Sequence, residues 1–170
     1  MELNFLKKAK DMQDELVDIR RDIHMHPELD YDLSRTQEKI KKFLKNEGIE
    51  YVESAGSGIC AIIRGNGEKT IGLRADMDAL PIQDMKKCDY ASKVKGKMHA
   101  CGHDAHTTIL LGAAKILNSI KDQLKVNVKL YFEPAEETTG GAKVMIKEGV
   151  LEIPHVDRVI GLHVEEGIET

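Results

Sequence analysis

The sequence predicts an α/β domain in which helices pack against a sheet. Segments with helical spacing of apolar residues alternate with short β-branched runs bounded by glycine. Such alternation is typical of layered α/β domains. The polar groups that could carry chemistry follow the ends of those runs, where open α/β sheets bind their ligands. At 170 residues, the chain has the length of one domain with its own core.

Three helices are predicted from apolar spacing and from residues that start or stop helices. Residues of about 4–25 have amphipathic spacing and end just before a proline. A second helix is expected to start at Ser34, where SRTQ resembles a capping box, and to stop at Gly48. A third, rich in Ala, Leu and Ile, runs from Thr107 to about Ile120.

Four short runs predict strands: GICAIIRG, TIGLRAD, KVNVKLYFE and HVDRVIGLHV. The first two are separated by GNGEK, which predicts a hairpin or two neighbouring strands. GGAKVMIKEGV predicts a helix before the last strand, and residues 82–97 predict a loop. GSGICA matches a dinucleotide-binding glycine pattern, but a strand rather than a helix follows it, which argues against that function.

Composition excludes several classes of partner. Net charge is −4, aromatic residues make up 4% of the chain, and tryptophan is absent, so we expect no binding to nucleic acids or anionic membranes. The N-terminus is amphipathic rather than apolar, and no stretch approaches the ~20 apolar residues of a membrane helix. Three cysteines, an odd number, fit a reducing cytoplasm better than a disulfide scaffold.

The stretch MHACGHDAH carries Cys101, His103, His106 and His99 just before the third helix. Thiolate and neutral imidazole are good ligands for zinc, and Gly102 allows a tight turn between the first two. The helix N-terminus is expected to lower the pKa of the thiol. The alternative is a buried cysteine and a helix-capping histidine, with His106 as a structural residue. His99 fits either a supporting donor or a surface residue.

Further acidic and imidazole groups follow the strands. Glu136 and Glu137 are expected to point to opposite sides of an extended segment, so that one binds a metal while the other faces substrate. Asp76 and Asp78 could orient a ligating histidine or bind a metal themselves, and His163 ends an apolar run. Each motif alone also fits an ordinary turn or core residue. Together they favour a hydrolytic metal site.

These motifs resemble those of a known family. RRDIHMHPEL, LRADMDALPI, MHACGHDAHTTILLGAAKIL, EPAEETTGGAKVMI and GLHV have the order and spacing of one branch of the co-catalytic metallopeptidases. That branch contains aminoacylases, hippurate hydrolases and plant auxin-conjugate amidohydrolases, and the resemblance covers nearly the whole chain. It implies a zinc-exopeptidase-like catalytic domain with a mixed, mostly parallel sheet flanked by helices.

The resemblance also implies a site and a reaction. Two divalent cations, of zinc, manganese, cobalt or nickel, would be held by Cys101, His103, Glu137 and His163. Glu136 would be the general base, and Asp78 would support the site. The implied reaction is hydrolysis of the amide bond of an N-acyl-amino acid, or of a small peptide, by metal-activated water.

Two departures from the family are expected to matter. Glu133 stands where many relatives carry glutamine and adds a negative charge near the site. Residues 1–170 would form only the N-terminal part of the catalytic domain. A lid domain that usually mediates homodimer formation, and the rest of the catalytic domain, would lie outside this chain. We therefore expect the chain alone to hydrolyse little.

Two other functions stay open at this point. Cys101 could be the nucleophile of a cysteine hydrolase, with His103 or His106 as its base. Alternatively, the chain could be a non-catalytic remnant that binds a metal or a partner. Metal dependence distinguishes the first alternative from a metalloenzyme.

Overall fold

The computed structural model describes residues 4–165. Its α-helices are Phe5–Asp11 (α1), Gln13–Met25 (α2), Ser34–Asn46 (α3), His103–Asn118 (α4) and Gly141–Lys147 (α5). Its strands are Glu50–Ser54 (β1), Gly58–Ile63 (β2), Thr70–Asp76 (β3), Asn127–Glu133 (β4) and Arg158–Gly161 (β5). Over this part of the chain, no helix combines the length and apolar character needed to cross a membrane.

The strands form one mixed sheet with the order β1-β2-β4-β3-β5. β2 pairs antiparallel with both β1 and β4, whereas β3 runs parallel to both β4 and β5. The predicted mixed sheet flanked by helices is confirmed. Among the described strands, two pairings are parallel and two are antiparallel, whereas a mostly parallel sheet was predicted. The antiparallel half begins with a tight turn between β1 and β2, which needs no crossover helix.

The prediction that β2 and β3 are neighbours is wrong, because β4 lies between them. The hairpin partner of β2 is β1, and Ala55 and Gly56 in the connecting turn have φ values of 50° and 74°. Two successive left-handed residues are typical of tight hairpin turns, whose twist matches that of the strands. Strand β1 was not predicted, because its residues, EYVES, are mostly exposed and lack apolar alternation.

The main core lies between one face of the sheet and helices α3 and α4. It is built from buried side chains of both helices, β2 and β4, including Ile40, Leu44, Ile59, Leu111, Leu130 and Phe132. A smaller cluster on the opposite face lies under α5 and contains Cys60, Tyr131 and Met145. The two clusters fix the sheet between helical layers, so the strand ends that lead to the site have a rigid base.

The helix predicted over residues 4–25 is two helices. Met12 leaves the helical region (φ −109°, ψ 9°), and α2 starts directly after it. Acidic residues in the first turn of α2 favour a new N-terminus there. The predicted stop is confirmed, since α2 ends at Met25. α2 packs on α4 at Gly112, where an added Cβ would lie 3.0 Å from Leu16 Cδ1.

Helix α3 starts at Ser34 as predicted, but the predicted capping box does not form. Leu33 is the N-cap residue and makes no side-chain cap. The carboxylate of Glu28 supplies the cap, accepting hydrogen bonds from the backbone N–H groups of Arg35 (3.0 Å) and Thr36 (2.7 Å). The predicted helix stop is confirmed, because α3 ends at Asn46 and Gly48, two residues later, has the left-handed φ of +65°.

We expect Glu28→Ala to lower the free energy of unfolding by about 1 kcal/mol, the usual contribution of a helix cap. Urea unfolding followed by circular dichroism measures it. Glu38→Ala is the control, because the Glu38 side chain lies on α3, is 74% exposed and, among the described residues, forms an ion pair only with Lys41, at 3.9 Å. Equal losses in the two variants would contradict the capping role of Glu28.

Candidate metal centre

The candidate site lies where the parallel strands end. β3, β4 and β5 run in the same direction, and the chain after them carries Asp78, the Glu136–Glu137 pair and His163 respectively. Helix α4 begins at His103, four residues before its predicted start. The earlier start places His103 in the first helical turn, facing the strand ends.

His103 is at the centre of the site. It is 1% exposed, and three carboxylates approach its Nε2: Asp76 Oδ2 at 3.6 Å, Glu137 Oε1 at 3.6 Å and Glu136 Oε2 at 3.8 Å. Asp78 Oδ1 lies 3.5 Å from Nδ1. Burial works to lower the pKa of His103, but the carboxylates around both nitrogens raise it overall.

The Asp78 carboxylate fixes the backbone of both glutamates. Its two oxygens accept hydrogen bonds from the N–H groups of Glu136 (3.0 Å) and Glu137 (3.1 Å). The expectation that the glutamates point to opposite sides is wrong, because both carboxylates approach the same nitrogen of His103. The segment is a turn rather than extended chain, and Ala135 before it has φ 52°.

The two glutamate side chains differ in burial. Glu136 is 39% exposed and Glu137 is 20% exposed. Burial, together with the negative charge of Glu137, raises the pKa of Glu136 above its usual value. Glu137 Oε1 is buried and has no hydrogen-bond partner among residues 4–165. Glu136 is therefore the more accessible base, and Glu137 offers a buried oxygen to a ligand.

Cys101 and His163 complete a second side of the site. Cys101 Sγ lies 3.9 Å from His163 Nε2, and one donor atom from each of them and from His103 lie within 4.8 Å of one another. The expected lowering of the thiol pKa is wrong. The neighbouring Glu137 carboxylate, burial and the other surrounding carboxylates raise the pKa of Cys101 to about 11. The helix begins only at His103, and the nearby negative charges outweigh its dipole.

Asp76 and His106 form a buried pair beside His103. His106 Nδ1 lies 2.6 Å from Asp76 Oδ1, and Arg74 Nη1 donates to Asp76 Oδ2 at 2.6 Å. Burial alone would raise the pKa of Asp76, but the contacts with His106, His103 and Arg74 lower it. His106 was predicted to be a structural residue. Its spacing of three residues from His103 on one helix is the signal that both side chains face the site.

Glu133 does not add a free negative charge to the site. Its carboxylate accepts hydrogen bonds from Arg74 Nε (2.6 Å) and from the N–H of Ala142 (2.7 Å). Arg74 therefore joins Glu133 to Asp76, and one guanidinium is shared by two buried carboxylates. His99 is not a surface residue: it is 3% exposed, and burial lowers its pKa to about 4.

The donor set fits a divalent metal. Three groups of potential ligands each have donor atoms within 4.8 Å of one another, and His103 belongs to all three: Cys101–His103–His163, Asp76–His103–His106 and His103–Glu136–Glu137. Thiolate, imidazole and carboxylate together suit zinc and similar ions. Both nitrogens of His103 are buried and lack hydrogen-bond partners within the described range, which an ion nearby would compensate.

Comparison with known proteins identifies hydrolases. IAA-amino acid hydrolase ILR1-like 5 from Arabidopsis thaliana is 48% identical over 164 residues, which cover 95% of this chain and 37% of that protein. The hippurate hydrolase of Campylobacter jejuni is 46% identical over 163 residues, covering 95% of this chain and 42% of that protein. The chain thus spans about two fifths of the length of these curated relatives.

A solved structure and a family model agree with these relatives. A dinuclear metal-binding peptidase of the M20 family from Bacillus subtilis superposes with a TM-score of 0.89 at 40% identity, over 94% of this chain and 45% of that one. The model of peptidase family M20/M25/M40 matches residues 72–170, more than half of the chain. The resemblance drawn from the motifs is confirmed, and the chain belongs to peptidase family M20/M25/M40.

Proposed function

We propose that the protein containing this chain is a metal-dependent amidohydrolase that cleaves the amide bond of N-acyl-amino acids with activated water. The observation that carries this proposal is the buried His103, whose unpartnered nitrogens lie among four carboxylates. Relatives named for the hydrolysis of IAA-amino acids and hippurate support the substrate class. Because the chain spans about two fifths of their length, the activity is proposed for the whole protein.

Two divalent cations are assigned to the donors Cys101, His103, Glu137 and His163. The proximity of Cys101, His103 and His163 to one another, and of His103 to Glu137, supports this assignment. One thiolate with imidazole and carboxylate ligands is compatible with zinc, manganese, cobalt or nickel. The similar B. subtilis structure is named a dinuclear metal-binding peptidase. When bound, the cations supply Lewis-acid polarisation of the scissile carbonyl.

The chain's own residues handle the proton. Glu136 takes the proton from the attacking water and returns it to the leaving amine, and its raised pKa and greater exposure suit that role. Asp78 is a positioning residue, because its carboxylate holds the N–H groups of Glu136 and Glu137 and lies beside His103 Nδ1. The turn thereby holds both carboxylates in a fixed direction before substrate arrives.

A cysteine hydrolase is less well supported. A pKa of about 11 keeps the Cys101 thiol protonated near neutrality, whereas a nucleophilic cysteine needs its thiolate. Among the described residues, the imidazole in hydrogen-bond contact with the Cys101 thiol is that of His163, at 3.9 Å from Nε2, and neither His103 nor His106, the expected bases, makes such a contact. The other alternative is a non-catalytic remnant that binds metal. A measurement of turnover by the whole protein distinguishes it from the proposed amidohydrolase.

The proposal extends to partners and location. The substrate is a small molecule, and the relatives' greater length leaves room for a lid domain that would form a homodimer. Cysteines in this chain are free in the structure, at Cys60, Cys88 and Cys101, which supports a reducing compartment such as the cytoplasm. The net charge of −4 supports the expectation of no nucleic-acid partner.

Glu136→Gln in the full-length protein is expected to lower kcat about 10²- to 10⁴-fold, because an amide cannot accept the proton. Steady-state hydrolysis of acyl-amino acids and elemental analysis measure the effect, with metal content expected to stay at the wild-type level. Glu152→Gln is the matched control, since Glu152 is 69% exposed and, within residues 4–165, forms an ion pair only with His155. Wild-type turnover by Glu136→Gln would remove Glu136 from the mechanism.

Metal removal is expected to abolish hydrolysis, and added zinc or manganese should restore it, because the cations polarise the carbonyl. The assay compares chelated, reconstituted and iodoacetamide-treated protein. Activity that survives chelation but is lost on alkylation would favour a cysteine hydrolase. Metal bound at two equivalents, with no turnover of any acyl-amino acid by the full-length protein, would favour the remnant.

A further inference from the structure

The segment after β5 carries His163 and has few attachments. β5 pairs with β3 only as far as Gly161, and all four of its residues are exposed. For the backbone of residues 163–165, the described structure contains one hydrogen bond, from the Val164 N–H to His106 Nε2 at 2.8 Å. The position of His163 therefore depends on His106, which accepts the hydrogen bond from the N–H of the neighbouring Val164.

Asp76, which contacts the Nδ1 atom of His106, fixes the tautomer of that ring. Nδ1 lies 2.6 Å from Asp76 Oδ1, and an ionised carboxylate can only accept a hydrogen bond. Nδ1 therefore carries the proton, and Nε2 keeps the lone pair that the Val164 N–H requires. Asp76 is itself held by Arg74 through its second oxygen. Since both nitrogens are used, His106 has none left for a cation.

Two contacts narrow the position of the segment further. Gly102 has φ +83°, and a Cβ there would lie 2.3 Å from Val164 Cγ2. The Val164 side chain thus packs against the loop that carries Cys101. The rings of His106 and His163 meet edge to face, with centroids 4.8 Å apart. His163 is thus held next to Cys101 through contacts of its own ring and of Val164.

We propose that His106 is a positioning residue that holds His163 beside Cys101, by accepting the Val164 N–H in the tautomer that Asp76 selects. The proposal rests on the proposed function where it makes His163 a ligand. Loss of this hydrogen bond frees the segment, so one of the two cations loses a ligand. Removing an outer partner of a metal ligand typically weakens metal binding about 10- to 100-fold.

Two substitutions separate the roles of the two ring nitrogens. The amide of His106→Asn lies near the place of Nδ1, so it can still donate to Asp76 but cannot reach Val164. The longer side chain of His106→Gln can place its oxygen near Nε2 and accept from Val164. Thr107→Val is the matched control, because it removes a buried 2.8 Å hydrogen bond to the Asp76 carbonyl without touching Val164.

The first measurement is cobalt binding by the full-length protein and its variants, followed by titration and by the thiolate–cobalt absorption bands. We expect His106→Asn to bind one of two equivalents about 10- to 100-fold more weakly, with altered bands. His106→Gln should lie closer to the wild type, and Thr107→Val should match it. Wild-type cobalt binding and bands in His106→Asn, or equal losses in His106→Asn and Thr107→Val, would overturn the proposal.

The second measurement needs no metal. Amide hydrogen exchange at Val164 is expected to be faster in His106→Asn than in the wild type, and unchanged in Thr107→Val. If the wild-type protein binds no cobalt but shows this exchange pattern, the proposed function fails while the positioning role stands. If Val164 exchanges equally fast in the wild type and in His106→Asn, the positioning role is wrong.

Discussion

The parallel pairing of β3 with β4 and β5 is the constraint on which the site depends. Parallel strands end at the same edge of a sheet, so residues distant in sequence meet there without long loops. Crossover helix α4 starts at that edge and brings His103 under the strand ends. The same connection buries the apolar face of α4 against the sheet, so the forces that form the core also position the imidazole.

Electrostatics explains why such a site calls for cations. Four carboxylates surround one buried imidazole, and burial together with the negative charge of Glu137 raises the pKa of Glu136. Hydrogen bonds and Arg74 compensate part of this charge at Asp76 and Asp78. Cations would compensate the rest, so metal binding and the stability of this edge of the fold are linked.

Sequence alone predicted the layered α/β class, most elements and the convergence of motifs at strand ends. It missed β1, whose residues are polar because it lies at an exposed edge, and it therefore paired β2 with β3. Local patterns carry no information on which distant strand inserts between two others. In the site, the Glu136 and Glu137 side chains point the same way because Ala135 before them has a left-handed backbone. Alanine seldom adopts this conformation, so nothing in the sequence indicates it. The contacts of His106 with Asp76 and Val164 join residues far apart in sequence, so only the tertiary structure reveals them.

Arg74 contacts both Asp76 and Glu133, which face each other across β3 and β4. Sliding β4 by a single residue would turn Glu133 to the opposite face of the sheet and leave buried charges without partners. The ion pairs of Arg74 with Asp76 and Glu133 thus fix the register of β3 and β4 at their ends. Because the turn with the two glutamates continues directly from Glu133, this register also determines how far that turn extends over His103.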